Sequence, residues 1–246
     1  MRVVVVGATG LIGSRTVARL RDHGVEIAPV SRGEGVDVIT GVGLAEALRG
    51  ADVVVDVTDA PSRAEETSLQ FFDTATTNLL GAAVSAGAEH YVILSVVGAE
   101  RLQSGYFRAK LLQEDRVRRS LIPHSIVRAT PFFESVESMA RMSTCGDGVH
   151  AAPVLMRPVS TDDVAAAVAH VAVGVPLFGT VEVAGPEEYR LDDLTAMLLA
   201  AKGGVRDVVT DAHAQFFGAE TRERTLLPET PAHVGHRTFA QWLARR

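Results

Sequence analysis

The chain has 246 residues, enough for one large α/β domain and short for two, with 47% hydrophobic and 22% charged residues. A net charge of −6 and a pI near 5.8 argue against a nucleic-acid surface, which calls for a basic face. The lone cysteine, Cys145, excludes an internal disulfide and any multi-cysteine metal site, and no apolar run reaches the length of a membrane span, so a reducing, cytoplasmic setting is expected.

The first strand begins almost at residue 1. Four valines before the glycine in "MRVVVVGATG" are too few for a signal-peptide core and suit a strand buried on both faces. "GSRTVARLRDHG" follows with helical spacing and a terminal glycine, then "VEIAPVSR" as a strand, "LAEALRG" as a short helix and "ADVVVDVT" as another buried strand. Residues 65–87 carry helical spacing and end at glycine. "HYVILSVVG" reads as a strand, "YFRAKLLQEDRVRRS" as a helix and "HSIVRAT" as a strand. This alternation predicts right-handed βαβ units, hence an α/β, Rossmann-type, doubly wound parallel sheet.

After Pro131 the rhythm loosens. "STDDVAAAVAHVAV" and "RLDDLTAMLLAAKGG" are expected helices with a strand, "GTVEVAGP", between them, and the acidic pair Asp162 and Asp163 suits helix capping better than acid–base work. "GVHAAPVLMRPV" (148–159) fits either a mobile substrate loop or a plain connection. "TFAQWLARR" has helical spacing, with Trp242 as a packing anchor. The expected organisation is a single domain over 1–246, with 131–246 building most of a small C-terminal cap on the substrate side.

Residues 7–13, "GATGLIG", set Gly7, Gly10 and Gly13 between a predicted strand and helix. The first glycine permits a tight turn, the second a close approach of backbone to a pyrophosphate, and the third close helix–strand packing, with the helix N-terminus attracting phosphate charge. Thr9, Leu11 and Ile12 in the same loop are counted with them as dinucleotide contacts. The second strand ends in Ser31 and Arg32 with no acid until Glu34. An arginine there accommodates the 2′-phosphate of NADP, where an acid would hold the ribose of NAD.

Ser95 lies near the C-terminal end of its strand, where ligands sit in open α/β sheets. Tyr106 and Lys110 are one helical turn apart in "SGYFRAK", in a chain with three tyrosines and two lysines. One reading makes Tyr106 a proton donor to a carbonyl oxygen, Lys110 the cation that favours its phenolate, and Ser95 the group that orients the oxygen. The other makes Tyr106 a packing residue and Lys110 a solvated charge. The histidines show no ligand spacing, and no metal is expected.

"GATGLIG", "VSR", "LSVVG", "YFRAK", "SIVRATPFFE" and "RPVSTDDVA" followed by "VEVAGPEEYRLDDL" occur in one order along most of the chain. In these features the chain resembles the short-chain dehydrogenase/reductase superfamily, specifically its atypical NAD(P)-binding, NmrA-like branch. The resemblance implies that Ser95, Tyr106 and Lys110 match the catalytic triad, with Lys110 also at the nicotinamide ribose. It places Asp37 and Val38 near the adenine, Val57 and Thr58 near the middle of the cofactor, Pro131 near the nicotinamide, and Phe132 and Phe133 beside the substrate. Ser95 and Tyr106 are closer in sequence than in typical members, and the branch includes proteins that lack the tyrosine and only sense the cofactor. The expected function is an NADPH-dependent oxidoreductase acting on a small apolar carbonyl or quinone-like substrate, as a monomer or homodimer without nucleic-acid or membrane partners. The alternatives are a non-catalytic NADP(H)-sensing regulator and a C=C or C=N reductase.

Overall fold

Val3 to Val6 are almost inaccessible because their strand lies inside a sheet covered on both faces, which is why the N-terminal valines run without alternation. The computed structural model describes residues 1–203 and 206–245. Gly204, at the end of one predicted helix segment, and Arg246, at the end of the last, lie outside the described residues, as does Val205.

In chain order the first half contains β1 (Arg2–Val6), α1 (Gly13–Arg21), β2 (Glu26–Val30), α2 (Leu44–Ala47), β3 (Val53–Asp56), α3 (Glu65–Ala86), β4 (His90–Val96), α4 (Gly105–Arg118) and β5 (His124–Ala129). There follow α5 (Phe133–Met142), β6 (Val149–Ala151), β7 (Leu155–Met156), α6 (Thr161–Val173), β8 (Gly179–Ala184), β9 (Tyr189–Arg190), α7 (Leu191–Ala201), β10 (Val208–Thr210), β11 (His233–Val234) and α8 (Phe239–Leu243). The main sheet has the order β2-β1-β3-β4-β5-β8-β11, with every pair parallel. It is the expected Rossmann-like α/β sheet. From β1 the chain runs outward to β2 and then crosses back to β3, so the loops after β1 and β3 part and leave a crevice.

Helices α1 and α6 cover one face, where Val5, Leu20, Val55 and Val168 meet. On the other face α2, α3 and α4 meet the sheet through Val4, Leu48, Leu79, Ile93 and Val117. A third cluster, including Phe107, Phe133, Leu194, Phe216 and Phe239, joins α5, α7 and α8 to the start of α4. Ser160 caps α6 by accepting the Asp163 N–H at 3.0 Å, and Thr238 closes a capping box with Gln241 on α8. Among the described residues no helix is long and apolar enough to cross a membrane.

Two regions differ from expectation. "PFFESVESMARM" opens a helix, α5, whose Phe133, Val136, Met139 and Ala140 turn inward at helical spacing. Residues 148–159 carry β6 and β7, which pair with β10 and β9, so this segment is structural rather than a free loop.

Helix α4 meets the sheet through polar side chains. Glu114 is fully buried, and Arg128 on β5 donates to both its oxygens at 2.9 and 2.8 Å, with Arg118 adding a bond at 2.7 Å. Burial alone would raise the Glu114 pKa, but Arg128, with help from Ser95 and Arg118, holds it below the ordinary carboxylate value. Arg128→Met therefore leaves a buried carboxylate with only the exposed Arg118 beside it. It should destabilise the protein by about 3–5 kcal/mol in urea melts at neutral pH, and adding Glu114→Gln should restore part of that loss. In the wild type the Glu114 contribution is present at neutral pH and is lost as pH falls through the depressed folded value; the double variant should lack this acid-side decline.

Candidate active site

The tight turn after β1 builds one end of the cleft. Gly7 has φ +85°, and a Cβ there would come within 3.1 Å of the Val57 carbonyl. A Cβ on Gly13 would lie 2.0 Å from the Gly7 carbonyl oxygen, so the first turn of α1 can fold back on the loop only without a side chain. No side chain caps α1 and no acid occupies its first turn, which leaves its positive end open to an anion.

A continuous cleft of about 1180 Å³ runs from this loop across the C-terminal ends of the strands. Gly7, Thr9, Gly10, Leu11, Ile12, Ser31, Arg32, Asp37, Val38, Val57, Thr58, Lys110, Pro131 and Phe132 all line it, as do Ser95 and Tyr106. Two of the expected residues stand elsewhere. Gly13 acts beneath the loop through its close approach. Phe133 is wholly buried and packs on Phe239 and Trp242, with ring centroids 5.5 and 5.6 Å away, so it is a core residue and not a wall of the cleft. Helical periodicity turns Phe132 outward at the cap of α5 and Phe133 inward.

At the β2 end, Arg32 sits exposed in a short turn and Ser31 is turned toward Glu34, with its Oγ 3.4 Å from Oε2. The 36–40 segment is held by Asn78, which donates to the carbonyls of Val38 and Ile39 at 3.0 and 2.9 Å. Asp37 accepts the Ile39 N–H within its own turn at 2.7 Å.

At the other end, the Tyr106 hydroxyl donates to Asp59 Oδ1 at 3.1 Å. Asp59 is exposed, in the loop after β3. The Arg63 guanidinium, from the same loop, lies 4.4 Å over the Tyr106 ring. Burial, and then the Asp59 charge, push the Tyr106 pKa far above that of a free tyrosine, while Arg63 opposes the rise. Lys110 is turned from the phenol toward the sheet. Its Nζ donates to the Leu94 carbonyl at 2.8 Å and to Gln113, and sits 4.3 Å over the Phe72 ring. Burial lowers its pKa against the opposing pull of Asp59, Asp56 and Glu114. Gln113 in turn donates to the buried Asp56 at 3.0 Å, and Asp56 also accepts the Thr58 N–H and hydroxyl at 3.0 and 2.7 Å.

Ser95 borders the cleft, but its hydroxyl is buried and closes no well-formed hydrogen bond; it lies toward Glu114 beneath α4. The structure thus brings Tyr106 to Asp59 and Arg63, neither of which the sequence singles out. "DAPSR" carries no motif, and only the fold sets the loop after β3 against the first turn of α4.

The profile of a protein family described as NAD(P)H-binding matches residues 7–173. No curated protein matches the sequence. Among solved structures, the chain is similar to a dTDP-4-dehydrorhamnose reductase from Clostridium acetobutylicum, at 20% identity and a TM-score of 0.74, over 99% of this chain and 98% of that one. It is also similar to an NADPH-dependent quinone oxidoreductase from Escherichia coli (16% identity, TM-score 0.69, 99% and 98% covered). A nucleoside-diphosphate-sugar epimerase from Staphylococcus aureus is a third such structure (15% identity, TM-score 0.74, 99% of each chain covered). At these identities the likeness shows a fold shared by reductases and epimerases, and does not single out the NmrA-like branch.

The Tyr106 environment makes a direct prediction. Asp59→Asn removes the anion that holds the phenol in its neutral form, so the ionisation midpoint of Tyr106 should fall. Spectrophotometric titration of phenolate absorbance, with Tyr106→Phe as the subtraction, checks the sign; a midpoint that stays or rises would contradict the pairing.

Proposed function

Because the chain belongs to the family of NAD(P)H-binding proteins, we propose that it is an NADPH-dependent oxidoreductase that reduces a small, apolar carbonyl or quinone-like compound. What carries this reading is that the glycine loop and Tyr106 open onto one cleft. The bound cofactor would supply a hydride, and the protein's part is to hold two molecules in contact and to manage one proton.

The 7–13 loop and the open end of α1 suit the pyrophosphate, and Arg32 with Ser31 suits a 2′-phosphate. Val38 and Asp37 would border the adenine, Val57 and Thr58 the middle of the cofactor, Lys110 the nicotinamide ribose and Pro131 the nicotinamide. Phe132 would border the substrate. The E. coli quinone oxidoreductase, also similar in structure, is known in complex with NADPH, which supports the choice of cofactor.

Tyr106 would act as the general acid. A phenol held neutral by burial and Asp59 carries the proton that a carbonyl oxygen needs, and Arg63 beside it stabilises the phenolate that remains. Asp59, already hydrogen-bonded to Tyr106 and open to solvent, is placed to return a proton afterwards. Ser95 would have to turn its hydroxyl out of the helix–sheet interface to orient a substrate oxygen, so this geometry favours Asp59 as the partner of Tyr106.

NADPH oxidation against a carbonyl and quinone panel tests the reading. Tyr106→Phe should lower kcat by about 10²- to 10⁴-fold and leave cofactor affinity unchanged. Unchanged turnover removes Tyr106 from the chemistry, and tight cofactor binding without turnover on the panel replaces the reductase with a cofactor-sensing protein. In direct binding, Arg32→Ala should weaken NADPH by about 10- to 100-fold and NADH little. Equal loss for the two would sink the 2′-phosphate assignment.

A further inference from the structure

We infer that the substrate of this cleft carries a carboxylate or a similar planar anion, and that Arg63 is the residue that receives it; the inference rests on the reductase reading above. The Arg63 guanidinium lies 4.4 Å over the Tyr106 ring and 4.1 Å over the Phe217 ring, so an aromatic ring attends it on each side. It lines the cleft and, among the described residues, has no carboxylate within ion-pair distance. Its neighbours behave differently: Arg108 pairs with Glu65, Arg101 with Glu229, and Arg128 with Glu114. Stacking restrains an arginine's many rotamers and leaves its N–H edge as the part available for new bonds. That edge is a planar fork that matches a carboxylate bidentately.

Phe217 adds a second observation. Its backbone sits at φ +47°, in the left-handed region that disfavours a large side chain, and this conformation presents its ring to Arg63. Strain of this kind persists only where the surroundings enforce it. Here Phe216 stacks on Phe107 of α4, at 6.0 Å between centroids and 17° between planes, and seats the segment on the cleft.

The other charges at this end do not compete for the same ligand edge. Asp59 accepts the Tyr106 hydroxyl and the Ala60 N–H, and Glu134 accepts the Thr161 hydroxyl. Lys110 is turned to the Leu94 carbonyl. Phe107, Phe132, Met142 and Phe216 supply apolar wall around them. The chemistry that fits is an oxo acid with an aryl or alkyl body, its reducible carbonyl at Tyr106 and its acid group at Arg63. Reduction balances as one hydride to the carbonyl carbon and one proton to its oxygen, with the carboxylate unchanged.

Matched probes test this. Benzoylformate and 4-carboxybenzaldehyde are compared with their methyl esters as substrates, and benzoate with benzamide as ligands of the NADPH complex by calorimetry. The wild type should prefer each acid by about tenfold or more, mainly through KM and Kd. Arg63→Gln should bring the acid-to-neutral ratio close to one, and Arg63→Lys should restore part of it. Equal treatment of acid and ester by the wild type, or equal loss for both in Arg63→Gln, would overturn the inference. So would a loss of NADPH affinity in Arg63→Gln that accounts for the effect, since that assigns Arg63 to the cofactor. The calorimetry is independent of turnover: selective benzoate binding without reduction of any carbonyl would reject the reductase reading and keep the anion site.

Discussion

Lys110, Gln113 and Glu114 turn inward from α4 onto β3, β4 and β5, and the substrate end of the cleft takes its shape from that contact. A helix seated through hydrocarbon can rotate or slide a little at small expense. Hydrogen bonds to the Leu94 carbonyl, to Asp56 and to Arg128 are directional and allow little of either. A buried ion pair adds little net stability over apolar packing, but losing one partner is severe. The arrangement therefore fixes the rotation of α4, and with it the direction in which Tyr106 points one turn earlier. The long α3 packs alongside: Arg116 pairs with Asp73 and Arg108 with Glu65, which holds the two helices in register outside the sheet.

Much of this architecture is legible in the sequence because parallel strands buried on both faces leave unbroken β-branched runs, and β1, β3 and β4 are such runs. The glycine loop is legible for a related reason. Where backbone must come within contact distance of backbone, as at Gly13 against Gly7, only one residue type serves, and it leaves a mark in the sequence. Arg32 at the end of β2 is visible by position alone. Other parts leave no such mark. Phe132 and Phe133 are chemically identical, and which of them faces the cleft depends on where α5 begins, one residue either way. Helical spacing puts Lys110 on the same face as Tyr106, yet a long side chain can reach the sheet instead of the phenol, and here the Leu94 carbonyl and Gln113 draw it there. Asp59 and Arg63 lie 47 and 43 positions before Tyr106. Nothing local announces that they meet it.

The family likeness ends at residue 173, whereas Phe216 and Phe217, which close over the substrate end, come from later in the chain. The cofactor end is thus built from the part of the chain that resembles many others, and the substrate end mixes that part with a segment outside the match. Such a division is physically natural. The pyrophosphate and adenine are invariant demands met by backbone and by a few fixed positions, while a substrate is met by side chains from connecting segments, which can vary without disturbing a buried parallel sheet. The same division explains why relatives of this fold include both reductases and epimerases.

Helix α8 packs its Trp242 against Phe133 of α5 and stacks it on Phe239, at 5.4 Å between centroids. No other tryptophan occurs in the chain. Indole emission from this protein therefore comes from a single place, the seam where the last helix meets the cap, well separated in sequence from the glycine loop. A change in that emission on adding a ligand would report motion of the cap, and an emission shift on heating that precedes loss of helix signal would show the cap leaving the sheet before the sheet itself opens.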